Sequence, residues 1–379
     1  FSPYATIAGA EADAVSGDTI YIASNIIEAE CGKDGLTYVY GEGVKHIYPD
    51  TSPNISGQNW NSIYTDFGKG NISFNIVGGA FEFGSFWYGT WRRSIVRLEN
   101  ESSCVMTNAE KLSGDYRADD GNMFYLTGNN CSLDVSCTGN LYNPWRTLAV
   151  AGSNCKVNIR VDGSVFSLNE CGANFIYSSG VNNEINVSVG VVLNITGHPF
   201  GGARELIKVN GPVGSLSSPK TRIYLTAPLV DFYDQIPHKS GDERGLIYCD
   251  QRANAYISFN ADIVKINHDE SDPSLPGSYN GGRMAFIGAS QNDSNFNVLV
   301  DCNVRLMLLG VNHNFNYFRL IKSTAIAASK NNVTVNLTDS TVVSYTDNSS
   351  SYTDWKDNST VLNLSIFNPE FVNYVFNGT

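Results

Sequence analysis

The chain has 379 residues, of which 42% are hydrophobic, and a formal net charge of −12 at pH 7. The acidic balance argues against a nucleic-acid partner, because neutralising phosphates requires clustered Lys and Arg. No apolar run is long enough to span a bilayer and no basic-then-apolar signal peptide is found, so we expect no membrane insertion.

The first 90 residues differ in composition from the rest of the chain. Residues 16–22 are typical of a turn followed by a short strand, residues 31–61 are rich in Gly, Pro and Tyr, and residues 71–83 resemble an early repeat. An uncapped end of a repeat array exposes unpaired strand edges. We therefore predict an N-terminal cap with the first repeats over residues 1–90 and a repeat domain over residues 91–379.

From about residue 90 onward a short pattern recurs every 24 to 40 residues, with apolar residues at alternate positions after an Asn- or Cys-containing turn. Such alternation predicts a strand with one buried and one wet face. The first inward residues of these strands are Leu133, Val157, Ile185, Ile223, Ile257, Phe296, Val333 and Leu362. A recurrence of this length indicates units that stack to bury that face, which is a solenoid.

Two more short strands accompany the recurrent one in most units, for example over residues 147–150 before it and residues 163–166 after it. No helical periodicity separates them, and the Leu and Asn signature of a leucine-rich repeat is absent. Three strands per unit predict an all-β parallel β-helix.

Asparagines stand just before many of the recurrent strands. Asn tolerates left-handed backbone geometry, and its amide can bond to an Asn one repeat away. A structural ladder is therefore predicted for Asn130, Asn154, Asn183, Asn292 and Asn332.

Eight cysteines occur without a C-x-x-C pair, which argues against a zinc knuckle. Cys104, Cys131 and Cys155 are spaced 27 and 24 residues apart and are predicted to occupy equivalent places. A stack of small buried apolar side chains is the first interpretation, and disulfides between adjacent repeats are the alternative.

The chain contains 13 N-x-S/T sequons. A chain rich in Asn, Ser and Thr forms sequons by chance, and the outward faces of a solenoid have this composition. Glycosylation is the alternative, and it would place the chain in a eukaryotic secretory pathway or on a virus grown there.

The turn and strand at residues 16–22, the three-strand units, the Asn ladder and loops inserted at one corner resemble right-handed, single-stranded parallel β-helices of the pectin-lyase type. Within this class, the repeat architecture most resembles that of bacteriophage tailspikes and receptor-binding proteins, over roughly residues 15–370. The resemblance implies a homotrimer and a carbohydrate ligand. It supplies no catalytic residue, because no active-site motif of the family matches positions here.

One position before the first strand of each unit is predicted to form a column at about 4.8 Å per repeat. It reads Arg93, Asn122, Arg146, Asn174, Arg204, Arg244, Arg283 and Arg319. Stacked like charges repel unless carboxylates or an anionic ligand lie between them. The column is therefore an internally paired ladder, a subunit contact, or a stripe that binds an acidic polysaccharide through guanidinium–carboxylate pairs.

Loops before this position carry four of the five histidines, namely His198, His238, His268 and His313, together with several carboxylates. Glycoside hydrolysis needs two suitably spaced carboxyl groups, and lyase chemistry needs a base and a cation. The catalytic candidates are Asp242, Glu243, His238 and Asp269. The alternative is loop residues without a special role, and no metal site or cofactor is predicted.

Aromatic residues are dense near residues 86–93, and sugars stack on exposed aromatic faces. The tryptophans either cover the N-terminal end of the solenoid or extend the arginine stripe. The predicted ligand-binding residues are Arg204, Arg244, Arg283, Arg319, Trp87, Trp91, Trp145 and His268.

The leading functional hypothesis is a β-helix on a virion surface, or otherwise extracellular, that binds cell-surface polysaccharide. A polysaccharide hydrolase or lyase of the same fold is the second hypothesis. A structural, glycosylated surface protein without a ligand is the third.

Overall fold

The computed structural model describes residues 3–28, 32–48, 60–66, 71–83, 92–99, 101–114, 122–143, 146–169, 174–197, 205–211, 220–234, 244–250, 253–268, 284–289, 297–310, 319–323, 332–337, 341–345 and 361–366. Within these ranges the chain is all-β apart from one short helix. None of the helices in this part of the chain is long and apolar enough to cross a membrane.

The elements up to residue 169 are α1 (Ile7–Asp13), β1 (Thr19–Ile22), β2 (Ile26–Ile27), β3 (Thr37–Tyr40), β4 (Lys45–Tyr48), β5 (Trp60–Asp66), β6 (Asn71–Ile76), β7 (Ala80–Phe83), β8 (Arg92–Leu98), β9 (Ser103–Ser113), β10 (Asn122–Leu126), β11 (Ser132–Asn143), β12 (Arg146–Val150), β13 (Lys156–Val161) and β14 (Val165–Asn169).

The later strands are β15 (Asn174–Ser178), β16 (Glu184–Val189), β17 (Val192–Gly197), β18 (Glu205–Asn210), β19 (Thr221–Asp234), β20 (Arg244–Asp250), β21 (Asn254–His268), β22 (Met284–Ala289), β23 (Asn297–Gly310), β24 (Arg319–Ser323), β25 (Asn332–Leu337), β26 (Thr341–Tyr345) and β27 (Val361–Ile366).

The chain forms two compact units. The first comprises Phe1–Ser167 and Glu184–Val191, and the second comprises Leu168–Asn183 and Val192–Thr379. In the first unit, strands from successive repeats pair in parallel, on both sides of residue 90. The predicted boundary at residue 90 between a cap and a repeat domain stays a prediction.

Parallel pairing in the first unit produces three ladders. The first ladder contains β5, β8, β10 and β12. The second contains β1, β3, β6, the N-terminal halves of β9 and β11, then β13 and β16. The third contains β2, β4, β7, the C-terminal halves of β9 and β11, and β14. Three strands recur per repeat, as predicted, although in β9 and β11 the second and third strands are continuous.

Matching apolar residues share register positions in the second ladder. Leu133 pairs with Val157, and Val157 pairs with Ile185, and all three are fully buried. Their outward neighbours Asp134 and Asn158 are exposed. The predicted alternation between a buried and a wet face is confirmed here, and the stacked column forms the core of the unit.

The second unit has the same pairing pattern when described by itself. Strands β15, β18, β20, β22 and β24 form one parallel ladder. The N-terminal parts of β19, β21 and β23 form a second parallel ladder with β25 and β27. The C-terminal parts of β19, β21 and β23 pair with β17 and β26.

The predicted inward series in the second unit is wrong after Ile257, because Phe296, Val333 and Leu362 do not share its register position. Ile223 pairs with Ile257 as predicted, but Ile257 pairs with Val300 rather than with Phe296. Val333 in turn pairs with Val298. Phe296 lies outside the described residues. Apolar residues two positions apart fit the same alternating pattern, so sequence alternation alone does not select the register.

The turns before the second-ladder strands contain left-handed asparagines. Asn130 and Asn154 in the first unit both have φ of 58°, as the predicted structural role requires. In the second unit the left-handed residue is Asn182, with φ of 56°, rather than the predicted Asn183. Asn183 is instead fully buried, and its side-chain amide donates to the Ser178 hydroxyl at 3.2 Å.

Cys104, Cys131 and Cys155 are all buried thiols, but they are not three equivalent residues as predicted. Cys104 pairs in register with Leu133, two positions after Cys131. Cys104 and its register partner Leu133 are 29 residues apart, so the 27-residue step from Cys104 to Cys131 does not correspond to one repeat. Only Cys131 and Cys155 keep equivalent places, because Ser132 pairs with Lys156.

Gly152 lies where two successive turns approach closely. A Cβ atom added at this position would lie 1.7 Å from the carbonyl oxygen of Gly128 in the preceding turn. Real Cβ atoms do not approach a backbone oxygen so closely, and the opposing atom belongs to a main chain held by the neighbouring repeats.

His46 on β4 is fully buried beside Tyr40 and Phe81. Its Nδ1 lies 2.9 Å from the Tyr40 hydroxyl, and its Nε2 lies 3.2 Å from the carbonyl oxygen of Glu28. Burial lowers the pKa of His46 to about 4, and the contact with Glu28 opposes this effect only in part.

Substitution of Gly152 by Ala should lower the free energy of unfolding by at least about 2 kcal/mol, because the backbone must move to accept the Cβ atom. Urea unfolding measures this loss. Gly17→Ala is the control, since its φ is +97° but its Cβ would meet nothing within 4 Å. Gly17→Ala therefore reports the cost of backbone strain without a steric clash. If Gly152→Ala lowered the free energy of unfolding by less than Gly17→Ala does, the close approach at Gly152 would be contradicted.

Stability should fall as the pH decreases from about 6.5 to about 4, because the unfolded chain protonates His46 in this window and the folded chain does not. The pKa difference corresponds to a loss on the order of 3 kcal/mol. Urea midpoints across this window should have a shallower pH slope in His46→Phe than in the unchanged chain. Equal slopes would show that His46 is not the group responsible.

Candidate functional site

The third ladder of the first unit presents a column of aligned side chains on its outward side. The inward residues of this ladder, Phe81, Leu112, Leu141 and Val165, are buried and pair with one another in register. The residue after each of them belongs to the opposite face. These residues are Glu82, Ser113, Tyr142 and Phe166, which also pair in register and which we call the tyrosine column.

Two aromatic rings stack at the end of the tyrosine column. The ring centroids of Tyr142 and Phe166 lie 5.1 Å apart, and the ring planes differ by 14°. This separation follows from the spacing of about 4.8 Å between neighbouring strands. Tyr142 is 36% exposed and Phe166 is half-buried, so the pair offers an accessible aromatic surface.

Lys111 contacts both an acidic and an aromatic residue of the column. Its Nζ lies 2.9 Å from Oε1 of Glu82 and 5.5 Å from the centroid of the Tyr142 ring. Lys45 approaches the same carboxylate oxygen at 3.9 Å. The Lys111 side chain is 42% exposed, so these attractions are weakened by water and leave the charged groups available to a ligand.

The arrangement combines the exposed edges of stacked aromatic rings with hydrogen-bonding groups along one line. Four register positions cover about 14 Å at the strand spacing. The facing surfaces of the Tyr142 and Phe166 rings cover each other, so the C–H groups of a sugar ring can pack against the exposed edges of the two rings. The hydroxyl of Ser113, the ammonium of Lys111 and the carboxylate of Glu82 can bond to sugar hydroxyls beside that ring. This chemistry suits a glycan that lies along the ladder.

A related column occurs in the second unit on β15, β18 and β20. Tyr177, Lys208 and Tyr248 pair in register, and Nζ of Lys208 lies 5.3 Å from the centroid of the Tyr248 ring. The Tyr177 hydroxyl accepts a hydrogen bond of 3.1 Å from the side chain of Asn210. Tyr248 is only 9% exposed, so this column offers less ring surface than Tyr142 does.

The predicted column holds where Asn122 pairs in register with Arg146, but it does not hold between Arg244 and Arg319. Arg244 pairs with Met284, whereas Arg319 pairs with Ala285, so the two arginines differ by one register position. In β18 the residue that pairs with Asn174 is Glu205. Residues one position apart in a strand belong to opposite faces and do not form a column. Arg204 and Arg283 lie outside the described residues.

At the equivalent position in the first unit, Arg146 donates a 3.1 Å hydrogen bond from Nη1 to Oδ1 of Asn122, which is buried. In the second unit, the buried side chain of Asn174 donates to Oε2 of Glu205, which is also buried. These contacts match the interpretation of an internally paired polar ladder at this position.

Most of the other predicted site residues lie outside the described residues. They are Trp87, Trp91, Trp145, His238, Asp242, Glu243 and Asp269. His268 is the last residue of β21, where its backbone pairs with Asp234 and Gly310. Ligand binding by the arginines, tryptophans and His268 stays a prediction. In the described part of the chain no group of three or more His, Cys, Asp or Glu side chains could hold a metal ion.

The tyrosine column was not predicted from the sequence, although one signal for it was present. Tyr142 and Phe166 are 24 residues apart, and this is the same step that separates the core residues Leu133 and Val157. Applying that step to the residues that follow each inward position finds the aromatic pair. Lys111 is not found in this way, because its contact with Tyr142 depends on the reach of a long side chain.

Substitution of Lys111 by Met should lower the free energy of unfolding by less than about 1 kcal/mol, because its partners are partly exposed. Chemical unfolding of Lys111→Met and of Lys45→Met measures this effect, and the second variant removes the longer ion pair. A loss above about 2 kcal/mol would mean that Lys111 is a structural residue and is not available to a ligand.

Comparison with known proteins finds no family model, no curated protein and no solved structure that matches this chain.

Proposed function

We propose that this chain is a right-handed parallel β-helix that binds an extended polysaccharide along the tyrosine column. The stacked rings of Tyr142 and Phe166, at successive repeats and beside Lys111 and Glu82, are the observation that carries the proposal. Parallel strand ladders and stacked core residues support the β-helix.

The direction of the ligand follows from the spacing of the column. Neighbouring ring positions are separated by one strand spacing, which is close to the length of one pyranose unit in an extended chain. A linear glycan lying along the ladder therefore places successive sugars on successive repeats. Each sugar contributes little, and affinity accumulates from several shallow contacts.

The charge of the column favours a glycan rich in hydroxyl groups over a strongly acidic one. Lys111 is paired with Glu82, and Lys45 approaches the same carboxylate, so the column has no large excess of positive charge. Arg244 and Arg319, two members of the arginine stripe that motivated an acidic ligand, lie one register position apart. Neutral or weakly acidic cell-surface polysaccharides are therefore the proposed ligand class.

We further propose a place on a virion or another extracellular surface, with three copies of the chain in a homotrimer. The support is the resemblance of the repeat pattern to phage tailspikes. Sedimentation of the purified protein tests the trimer directly.

Binding to a panel of capsular polysaccharides and lipopolysaccharides is the main test. At least one glycan should bind, and Tyr142→Ala combined with Phe166→Ala should raise its Kd at least about tenfold, which is about 1.4 kcal/mol. Tyr21→Ala is the matched control, because Tyr21 is 76% exposed but is not part of the column. Equal loss in both variants, or no loss in the double variant, would reject the column as the binding site.

The same panel distinguishes binding from cleavage. Size analysis of each glycan after incubation should show no shortening if the protein only binds. Shortened products that persist in the double variant would favour a depolymerase whose chemistry lies elsewhere, with Asp242, Glu243, His238 and Asp269 as the first residues to replace.

A further inference from the structure

The turns before β11 and β13 bring two cysteines to equivalent positions. Cys131 precedes Ser132 and Cys155 precedes Lys156, and these following residues pair in register. The amide of Lys156 donates to the carbonyl of Cys131 at 2.9 Å, and the amide of Asn130 donates to the carbonyl of Ser153 at 2.8 Å. Hydrogen bonds on both sides of the pair therefore hold the two cysteines next to each other.

The backbone separation of these residues suits a covalent link. Residues in register on neighbouring parallel strands are about 4.8 Å apart, and disulfides join Cα atoms separated by about 4.4 to 6.8 Å. Both side chains are buried, with relative exposures of 1% for Cys131 and 0% for Cys155. The Cys155 thiol lies 3.3 Å from the carbonyl oxygen of Gly128, in the turn that leads to Cys131.

The other described cysteines have no cysteine neighbour in register. Cys104 pairs with Leu133, Cys137 pairs with Ala109 and Val161, and Cys249 pairs with Val209 and Ala289. The backbone of Cys302 pairs with Phe259 and Leu337. Within the described part of the chain, Cys131 and Cys155 are thus the one cysteine pair joined by register.

The contact between the two thiols shifts their pKa values in opposite directions. The side chain of Cys155 and the backbone amides near residues 101, 102 and 128 lower the pKa of Cys131 to about 7. The same contact, together with burial, raises the pKa of Cys155. The thiolate is the form that attacks a disulfide, so the lowered pKa favours Cys131 as the thiol that attacks an oxidant.

We propose that Cys131 and Cys155 are a disulfide-forming pair that links two successive repeats of the first unit. A small-molecule disulfide such as oxidised glutathione is the oxidant. The Cys131 thiolate attacks one sulfur, forms a mixed disulfide and releases one glutathione thiolate. The Cys155 thiol then loses its proton and attacks the Cys131 sulfur, which releases the second glutathione. Two protein thiols are oxidised and one external disulfide is reduced to two thiols.

The link would close a loop of one repeat and hold two rungs of the ladder together. A disulfide restricts the unfolded chain, so the oxidised protein should unfold at a higher temperature than the reduced protein. Burial of both sulfur atoms means that the bond forms most readily before the repeats have closed, while the turns remain accessible to the oxidant.

Oxidation of the whole chain tests the pair. Reduced protein is treated with oxidised glutathione, once in its folded state and once in urea followed by refolding, and is then alkylated and digested without reduction. Peptide mass spectrometry should find residues 131 and 155 in one linked peptide pair, lighter by two hydrogen atoms than the sum of the two. Alkylation of both residues after refolding under oxidant, or linkage of either one mainly to another cysteine, would overturn the proposal.

Thermal unfolding provides a second readout with matched variants. Oxidation should raise the unfolding midpoint by several degrees in the unchanged chain and in Cys104→Ser, whose thiol is buried but is not next to another cysteine. The rise should disappear in Cys155→Ser. An equal rise in Cys155→Ser would show that a different pair carries the effect.

Discussion

Parallel register between successive repeats is the constraint on which the rest of the structure depends. When Leu133, Val157 and Ile185 occupy one register position, all the remaining residues of those strands also have a partner in the next repeat. Buried columns follow on one face and exposed columns on the other. A change of one residue in register would exchange the two faces, and the core would lose its apolar contacts.

The same constraint forms the candidate site and the cysteine pair. Tyr142 and Phe166 stack because the buried Leu141 and Val165 beside them fix the register of the third ladder. Cys131 and Cys155 are neighbours because the next residues, Ser132 and Lys156, begin paired strands. A β-ladder therefore converts a spacing of 24 residues into contacts about one strand spacing apart, whether the side chains are aromatic rings or thiols.

The arginine series shows that equal positions at the start of strands in the sequence do not guarantee equal register positions in the ladder. Arg244 and Arg319 each stand at the start of a strand, yet their register partners are Met284 and Ala285. Loops of unequal length precede these strands, and a position counted from the loop can therefore differ by one residue from a position counted along the ladder. The backbone hydrogen bonds follow the ladder, so Arg244 and Arg319 do not share a column.

Close approach between turns limits which residues the repeats accept. Gly152 faces the carbonyl of Gly128 with no space for a Cβ atom, while Asn130 and Asn154 adopt left-handed geometry in the same turns. These turns also carry Cys131 and Cys155. The requirement for small or left-handed residues thus coincides with the position of the thiol pair.

The sequence by itself determined the strand character, the three-strand recurrence and the buried members Leu133, Val157 and Ile185, because alternation and spacing are local properties that the chain displays directly. Only the tertiary structure decided which positions are in register across repeats. In the structure Ile257 pairs with Val300 and not with Phe296, and Cys104 does not share a position with Cys131. Arg244 and Arg319 lie one register position apart, and Tyr142 pairs with Phe166 in the tyrosine column. The physical reason is that hydrogen bonding between repeats selects one register, and loops of variable length conceal that choice from the linear sequence.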